Sequence, residues 1–450
     1  MQQAAQATPT VSPEFHRDDT PRHEEAQTRL LESFREVRTR SGTLAAPLSP
    51  EDMTAQSMED ASPTKWHLAH TSWFFETFIL RDYQPGYREF HPGFNYLFNS
   101  YYETVGARHA RPRRGLATRP SVAEVMDYRR HVDAAMEDLV ASAPLAAWLQ
   151  FAPLLELGLH HEMQHQELLL TDLLHLLAQN SLDPAYRDAA PQGGGKAVPL
   201  TWWDHGGGIV ETGHATDDPT AGFAYDCEGP RHQELLQPFS LAGRLVTNGE
   251  WLEFMADGGY AQPGLWLSDG WATVQREGWQ APLYWAQDDD GRWTAMSLRG
   301  RHPVDPAAPV CHVSLYEADA YAHWAGARLP KEAELEVAAA QHPIAGNLLS
   351  RDALVPQPAK QGGERPARQP LQLWGDVWEW TQSAYAPYPG FRAPEGAVGE
   401  YNGKFMCNQF VLRGGSCVTP DAQLRASYRN FFYPHHRWQF TGLRLAKDLS

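Results

Sequence analysis

The apolar positions between residues 24 and 180 recur at helical spacing in four separate stretches. In residues 24–40 they fall three or four apart, which places them on one stripe of an amphipathic helix. The same spacing predicts three further helices: one from Pro63 to residue 80 with Ser62 as its cap, one over 121–140 and one over 153–180. Consecutive helices of this kind predict a four-helix bundle over residues 25–180, a fold whose interior often contains metal sites.

Beyond residue 180 the apolar stretches become short and are separated by Gly and Pro. Residues 181–208 contain Asp-Pro, Ala-Pro and two Gly-Gly-Gly runs and are predicted to be a linker. Residues 209–450 contain short strand-like stretches and one long helical stretch, which Pro330 is expected to divide into two helices. This half is therefore predicted to be a mixed α+β domain. Residues 1–24 are polar and lack periodicity, which predicts a disordered tail.

Composition and charge exclude several classes of function. The net charge of -17 argues against a general nucleic-acid or anionic-membrane binder, because both need a positive surface. The mean hydropathy is -0.51, and the sequence contains no run of 18 apolar residues, so no membrane span is predicted. The four Cys form no CxxC pair and the N-terminus shows no secretory signal, so a reducing cytoplasm is the predicted compartment.

The strongest candidate chemistry among the 20 His lies in the last bundle helix. His161 and His165 are four residues apart, so a helix places both imidazoles on one face, where they can bind one metal ion. The segment also matches the metalloprotease pattern HExxH, in which Glu162 would be the general base.

A third ligand must come from another helix, and the second helix offers His67 and His70, three residues apart. Either could reach the same ion. Glu167 follows His165 by two residues and points away from the His pair on a straight helix, which makes it a packing residue or a support for the ligands. Three neutral imidazoles leave open positions on a metal, an arrangement that is typical of catalytic sites.

Two further segments have both a structural and a functional interpretation. Residues 94–103 are rich in aromatic side chains with polar tips, which is typical of a packing loop but also suits a phenol beside a metal. Residues 108–114 contain four Arg in an acidic protein. They form either a solvated charge cluster or a clamp for a carboxylate.

These motifs together carry a family resemblance that extends over residues 25–447. The N-terminal half, with HLAHTSWFFE and HHEMQHQELLLTD, resembles the DinB-like four-helix bundle. The C-terminal half, with SLYEADAYAHWAGARLPKEAELEVAA, GDVWEWT, VLRGGSC and TGLRLAK, resembles the C-type-lectin-like domain of formylglycine-generating enzymes (sulfatase-modifying factors). The two in this order resemble the ergothioneine sulfoxide synthases of the EgtB type.

The resemblance implies a site at the junction of the two domains. It implies one non-haem Fe(2+) bound by three His and favours His70 over His67. The adjacent pair Tyr101-Tyr102 resembles the subtype of this family whose catalytic phenol comes from the bundle. The other subtype has an acidic residue at the position of Phe432, so Phe432 agrees with this resemblance. The residues that correspond to the family's site are His70, His161 and His165 for the metal, Tyr101 or Tyr102 for catalysis, and Arg111, Arg114, Gln164, Asn430, Phe431 and Phe432 for substrate binding.

The implied reaction joins hercynine, a trimethylated histidine, to cysteine or γ-glutamylcysteine with O2 and yields a sulfoxide in ergothioneine biosynthesis. The partners would then be small molecules rather than nucleic acid or membrane. Alternatives are ovothiol-type chemistry on unmethylated histidine, a DinB-type metal-dependent thiol transferase, or a domain that only binds. A formylglycine-generating oxidase would need a reactive Cys pair, and Cys407 and Cys417 do not match its pattern.

Overall fold

Four long helices form the N-terminal domain. The computed structural model describes residues 19–188, 195–218, 220–360, 369–396, 399 and 402–449, with side chains from residue 24 onward. The bundle helices are α1 (Asp19–Ala45), α2 (Thr64–Phe75), α3 (Val122–Ser142) and α4 (Leu145–Leu177). Helix α2 continues through a π-helical turn, Glu76–Leu80, and a last turn, Arg81–Tyr83. Buried aromatic side chains from different helices, among them Phe34, Trp73, Tyr128 and Phe151, fill the centre.

Three helix boundaries differ from those predicted. Helix α1 begins at Asp19, inside the predicted tail 1–24, and positions 1–18 of that tail lie outside the described part of the chain. Helix α4 begins at Leu145 and contains Pro153, which is exposed, so the carbonyl that loses its N–H partner lies on the solvent side. Ser62 does not cap α2, because Pro63 occupies the cap position.

The C-terminal domain consists of small sheets with helices packed around them. Its helices are α5 (Asn248–Ala256), α6 (Ser268–Glu277), α7 (Leu315–Trp324) and α8 (Glu332–Ala339). Its strands are β1 (Trp202–His205), β2 (Gly208–Thr212), β3 (His232–Leu236), β4 (Phe239–Ala242), β5 (Trp285–Gln287), β6 (Trp293–Ser297), β7 (Gly300–Pro303), β8 (Trp378–Ala384), β9 (Phe410–Arg413), β10 (Asn430–Phe432), β11 (Thr441–Gly442) and β12 (Ala446–Asp448). As predicted, the long helical stretch is divided near Pro330.

The largest sheet lies next to the bundle and has the strand order β10-β9-β8-β11, in which only β8 and β11 are parallel. The other described sheets are β1-β4-β12, β5-β6-β7 and the hairpin β2-β3. Strand β1 falls within residues 181–208, which the sequence pattern predicts as a linker. Its pairing partner β4 follows only after the whole β2-β3 hairpin, so the local Gly-rich pattern does not reveal it.

One stripe of helix α4 joins the two domains. His160, Gln164, Glu167 and Thr171 recur at three- and four-residue spacing, and each hydrogen-bonds a side chain of the C-terminal domain: Gln423, Tyr428, Trp378 and Gln439 respectively. The face beside this stripe contains His161 and His165, so the domain junction and the candidate metal site share one helix. None of the described helices is long and apolar enough to cross a membrane.

Candidate active site

Three imidazoles meet between helices α2 and α4. His70 comes from α2, and His161 and His165 lie one turn apart on α4. One ring nitrogen from each lies within 4.8 Å of the others. His70 and His161 are buried, whereas His165 is partly exposed. Because the three nitrogens converge, a single metal ion can be bound by all of them.

The ring of His70 is fixed by its surroundings. Its Nδ1 lies 2.6 Å from the carbonyl oxygen of Phe98, so Nδ1 carries the proton and Nε2 has the lone pair that a metal needs. The ring is nearly parallel to those of Trp66 and Trp73, with centroids 4.5 and 5.4 Å away. Those two indoles leave His70 little freedom to rotate.

Burial also keeps these imidazoles neutral. Burial is the largest of the effects that lower the pKa of His70 and of His165. It also lowers the pKa of His161, to about 3. The neighbouring imidazoles lower the pKa of His70 and His165 further. Neutral imidazole is the form that binds metals, so three converging neutral rings fit a divalent cation.

His67, the alternative third ligand, lies behind the cluster rather than in it. Its Nδ1 is 2.8 Å from Nδ1 of His165, and its Nε2 is 3.1 Å from Oδ2 of Asp172. The geometry therefore places His70 among the converging nitrogens and His67 against the far side of His165.

Glu162 does not provide the free base that a metalloprotease requires. Its two carboxylate oxygens accept hydrogen bonds from Arg38 at 2.9 Å, Arg129 at 3.0 Å and Ser41 at 2.7 Å. Burial alone would raise the pKa of Glu162, but the two guanidinium groups outweigh it and lower the pKa to about 2. The carboxylate connects α4 with α1 and α3, and both of its oxygens are used in these contacts.

The Arg cluster of residues 108–114 divides into different environments. Arg114 is buried, donates to the hydroxyls of Ser62 at 2.9 Å and Ser100 at 3.1 Å, and lies 3.4 Å above the centroid of the Trp66 ring. Its Nε has no hydrogen-bond partner among the described residues. Burial lowers the pKa of Arg114 to about 9. A buried cation whose hydrogen bonds go to hydroxyls rather than to a carboxylate suits an anionic ligand.

Arg111, by contrast, is partly exposed and already has a carboxylate nearby. It donates to the phenol oxygen of Tyr101 at 3.0 Å and lies 3.7 Å from a carboxylate oxygen of Asp60. Arg108 forms an ion pair with Glu103 at 2.8 Å. Arg114 is thus the buried member of the cluster, and its charge is not matched by an ion pair within the described part of the chain.

The two candidate phenols differ in their surroundings. Tyr102 is buried, with its ring 5.6 Å from Trp73, the indole that stacks on His70, and 5.1 Å from Phe78. Tyr101 is partly exposed and its ring meets that of Phe405, from the C-terminal domain, edge-on at 4.9 Å. Tyr101 therefore lies at the domain junction, whereas Tyr102 packs inside the bundle against the indole that stacks on His70.

The predicted C-terminal contacts lie on two faces of strand β10. Phe431 stacks on Tyr385 at 4.0 Å and approaches Phe405 at 6.1 Å, so it continues the aromatic contact that begins at Tyr101. Asn430 and Phe432 alternate with it on the strand. Phe432 lies near Trp438, with centroids 6.0 Å apart, while Oδ1 of Asn430 accepts from the backbone N–H of Phe431.

The sequence pattern does not predict every residue of the site. Gln164, a predicted substrate contact, donates to the hydroxyl of Tyr428 at 2.9 Å, and neither Tyr428 nor Phe405 was expected at this junction. Asp172 was also missed. A signal existed for it, because Asp172 follows His165 by seven residues, which is two helical turns, and so lies on the same face.

Comparison with known proteins agrees with this two-domain architecture. Residues 33–169 match the DinB superfamily, and residues 205–357 and 370–449 match the sulfatase-modifying factor enzyme 1-like domain. The chain is 34% identical to a hercynine oxygenase of Mycobacterium tuberculosis over 410 residues, which cover 86% of this chain and 91% of that protein. The chain belongs to the hercynine oxygenase family. The predicted fold class, a DinB-like bundle followed by a C-type-lectin-like domain, is confirmed.

Two partial matches fit the same family assignment. Ergothioneine biosynthesis protein 1 of Schizosaccharomyces pombe is 28% identical over 52% of this chain and 29% of that protein. A formylglycine-generating enzyme of Thermomonospora curvata is 29% identical over 46% of this chain and 85% of that protein. The resemblance to ergothioneine sulfoxide synthases is therefore confirmed at the level of the family.

Proposed function

We propose that this protein is an iron(II)- and O2-dependent sulfoxide synthase that joins hercynine to cysteine or γ-glutamylcysteine. The observation that carries the proposal is the cluster of three neutral imidazoles in a chain related to hercynine oxygenases across both domains. His70, His161 and His165 would bind the iron. When bound, iron(II) supplies coordination positions for the thiolate and O2 and the redox chemistry that O2 reduction needs.

The overall reaction balances without a further reductant. Hercynine, the thiol and O2 give one sulfoxide and one water: a C–H and an S–H bond break, a C–S bond forms, and one oxygen atom remains on sulfur. The two substrates supply all the electrons. The protein residues therefore need to bind the substrates, orient them and move protons.

Arg114 is the residue best suited to bind the thiol substrate's carboxylate. Its charge is buried, it is close enough to the metal ligands to lower the pKa of His70 and His165, and its Nε has no partner among the described residues. Arg111 would support the same carboxylate from the more exposed side. The phenol of Tyr101 or Tyr102 would deliver a proton during the reaction.

The trimethylammonium group of hercynine would lie against aromatic rings of the C-terminal domain. Phe431 offers such a ring on the face of β10 that continues through Phe405 to Tyr101, whereas Phe432 lies on the other face of the strand. Aromatic faces attract quaternary ammonium groups. Gln164, which contacts Tyr428 at the same domain junction, would supply a polar contact to the substrate.

The deciding experiment is incubation of the iron(II) protein, with and without O2, with hercynine or histidine, each paired with cysteine or γ-glutamylcysteine, followed by mass spectrometry. The proposal expects a sulfoxide adduct with hercynine and one preferred thiol, and none with the His161→Ala variant. An adduct that forms between histidine and a thiol, but not between hercynine and a thiol, would indicate ovothiol-type chemistry. An O2-independent thiol adduct would indicate a thiol transferase, and no adduct with any pair would overturn the proposal.

A further inference from the structure

His165, one of the three converging imidazoles, is connected to a carboxylate through a second histidine. Nδ1 of His165 lies 2.8 Å from Nδ1 of His67, and Nε2 of His67 lies 3.1 Å from Oδ2 of Asp172. The same oxygen of Asp172 accepts the backbone N–H of Ser62 at 2.8 Å. His67, Asp172 and Ser62 are all buried.

We propose that His67 and Asp172 are positioning residues for the metal ligand His165, which they hold in the tautomer that presents Nε2 to the metal. The inference rests on the proposed function only in taking the three-His cluster as a metal site. It concerns two residues that do not themselves belong to the cluster.

The tautomers follow from the chemistry of the last group. An ionised carboxylate only accepts hydrogen bonds, so Nε2 of His67 must carry the proton that faces Asp172. Nδ1 of His67 is the atom that faces Nδ1 of His165, and it accepts a hydrogen bond when His165 keeps its own proton on Nδ1. Nε2 of His165 is left with a lone pair. Each hydrogen bond therefore determines the next, and the set ends at the atom that binds the metal.

The arrangement of the helices explains why these groups meet. Asp172 lies two turns beyond His165 on α4, and His67 lies one turn before His70 on α2, so both residues occupy the layer of contacts next to the imidazole cluster. Ser62 links this layer to the proposed substrate clamp, because its hydroxyl accepts from Arg114 while its N–H binds Asp172. The ligand His165 and the buried Arg114 thus share one hydrogen-bonded network.

The test compares metal affinity with stability in His67→Ala and Asp172→Asn. Outer partners of metal-binding histidines are commonly worth about 10–100-fold in metal affinity. His67→Ala removes the acceptor for His165 and should be near the upper end of that range. Asp172→Asn keeps an oxygen that can accept from Ser62 and His67 but loses the charge, so it should be near the lower end.

The matched control is His175→Ala. His175 lies on the same helix and is half-buried, but its Nδ1 contacts the hydroxyl of Ser57 at 2.7 Å rather than a member of the cluster. Fe(II) affinity would be measured anaerobically by competition with a chromophoric chelator, and Co(II) spectra would report the ligand field. Thermal unfolding of each metal-free protein separates loss of positioning from loss of the fold.

The proposal expects weaker Fe(II) and Co(II) binding and altered Co(II) bands in His67→Ala and Asp172→Asn, with wild-type values in His175→Ala. Wild-type metal affinity in both folded variants would overturn it. Retained metal in His70→Ala together with complete loss in His67→Ala would also overturn it, because His67 would then be the ligand. If wild-type protein forms the sulfoxide and both variants bind metal normally, the positioning inference fails while the proposed function stands.

Discussion

Arg114 differs from the other arginines of its cluster in what surrounds its charge. The guanidinium group lies between the Trp66 ring and two serine hydroxyls, and burial lowers its pKa to about 9, which still leaves it protonated at neutral pH. Burying a cation without a carboxylate partner costs free energy. A substrate carboxylate at this position would recover that cost and bring its thiol toward the imidazoles.

We therefore expect Arg114→Ala to raise the KM for the thiol substrate and to leave the KM for hercynine nearly unchanged. Loss of a charge-assisted contact costs about 1.5–3 kcal/mol, or roughly ten- to a hundredfold in apparent affinity. Arg111→Ala should act in the same direction but less strongly, because Arg111 is partly exposed and lies near Asp60. Steady-state kinetics with each substrate varied in turn would measure both effects.

Arg113→Ala is the control for this pair, since Arg113 belongs to the same segment but is exposed. A rise in the KM for hercynine instead of the thiol would assign the clamp to the other substrate. Unchanged constants in Arg114→Ala would mean that the thiol's carboxylate binds elsewhere.

The adjacent phenols Tyr101 and Tyr102 lead to a prediction about the product rather than about affinity. If one of them delivers a proton, its Phe variant should still bind iron and both substrates. It should lose sulfoxide formation while it keeps or gains oxidation of the thiol alone to a sulfinic acid. Mass spectrometry of both products in the two single variants and the double variant would identify the phenol. Wild-type product ratios in the double variant would show that residues 94–103 are only a packing loop.

At the scale of elements, helix α4 presents three faces with separate tasks. His161 and His165 face the other metal ligand, Glu162 faces α1 and α3, and the stripe from His160 to Thr171 faces the C-terminal domain. This division follows from the 3.6-residue period, because positions one apart point in different directions. The helix can therefore connect the packing of the bundle, the metal site and the domain junction.

The sequence was sufficient to predict this helix and the face that contains His161 and His165. It was not sufficient to predict the face that contacts the C-terminal domain, because its partners, such as Trp378, belong to the other domain and are distant along the chain. The burial of Arg114 was hidden for a similar reason. It depends on how Ser62 and Trp66 pack over it, and a local run of charged residues does not indicate which member is enclosed.

The close approach of α2 and α4 depends on Gly158. A Cβ at this position would lie 2.4 Å from Cε1 of Phe75 and 2.9 Å from Cε1 of Phe74, and Phe74 in turn contacts the ring of His161. We expect Gly158→Ala to displace these rings and to lower the free energy of unfolding by about 1–3 kcal/mol, the usual cost of overpacking. It should also weaken metal binding, because the two helices that supply the ligands move apart.

Gly42→Ala in α1 is the matched control, since a Cβ there meets nothing within 4 Å. Its helix should become more stable by about 0.5–1 kcal/mol. Denaturant unfolding and metal titration of both variants would test the difference. Equal stability of Gly158→Ala and wild type would show that the aromatic rings move aside without cost.

At the scale of the whole molecule, the junction between the domains contains a buried carboxyl group. Glu167 accepts a hydrogen bond from the indole N–H of Trp378 and lies among hydroxyl and amide groups of the C-terminal domain. Burial is the largest cause that raises the pKa of Glu167, to about 7, and these hydrogen bonds act in the opposite direction. The junction therefore favours the neutral acid below that pH and must accommodate a charge above it.

The sign of the resulting pH dependence follows from proton linkage. The folded protein binds this proton more tightly than the unfolded chain, whose Glu has a pKa of about 4.3. The contribution to stability is fully present below that value and is lost as the pH rises through about 7. For a shift from about 4.3 to about 7 the full loss amounts to about 4 kcal/mol, most of which falls between pH 5 and pH 8.

We expect Glu167→Gln to remove this dependence, because an amide stays neutral at every pH and can accept the same indole N–H. The difference in unfolding free energy between the metal-free variant and metal-free wild type should move in favour of the variant by about 3 kcal/mol between pH 5 and pH 8. Taking the difference cancels the titration of every other group. Urea unfolding at several pH values, followed by tryptophan fluorescence, would measure it. A difference that is constant with pH would mean that Glu167 is ionised throughout and that the two domains meet across a buried charge.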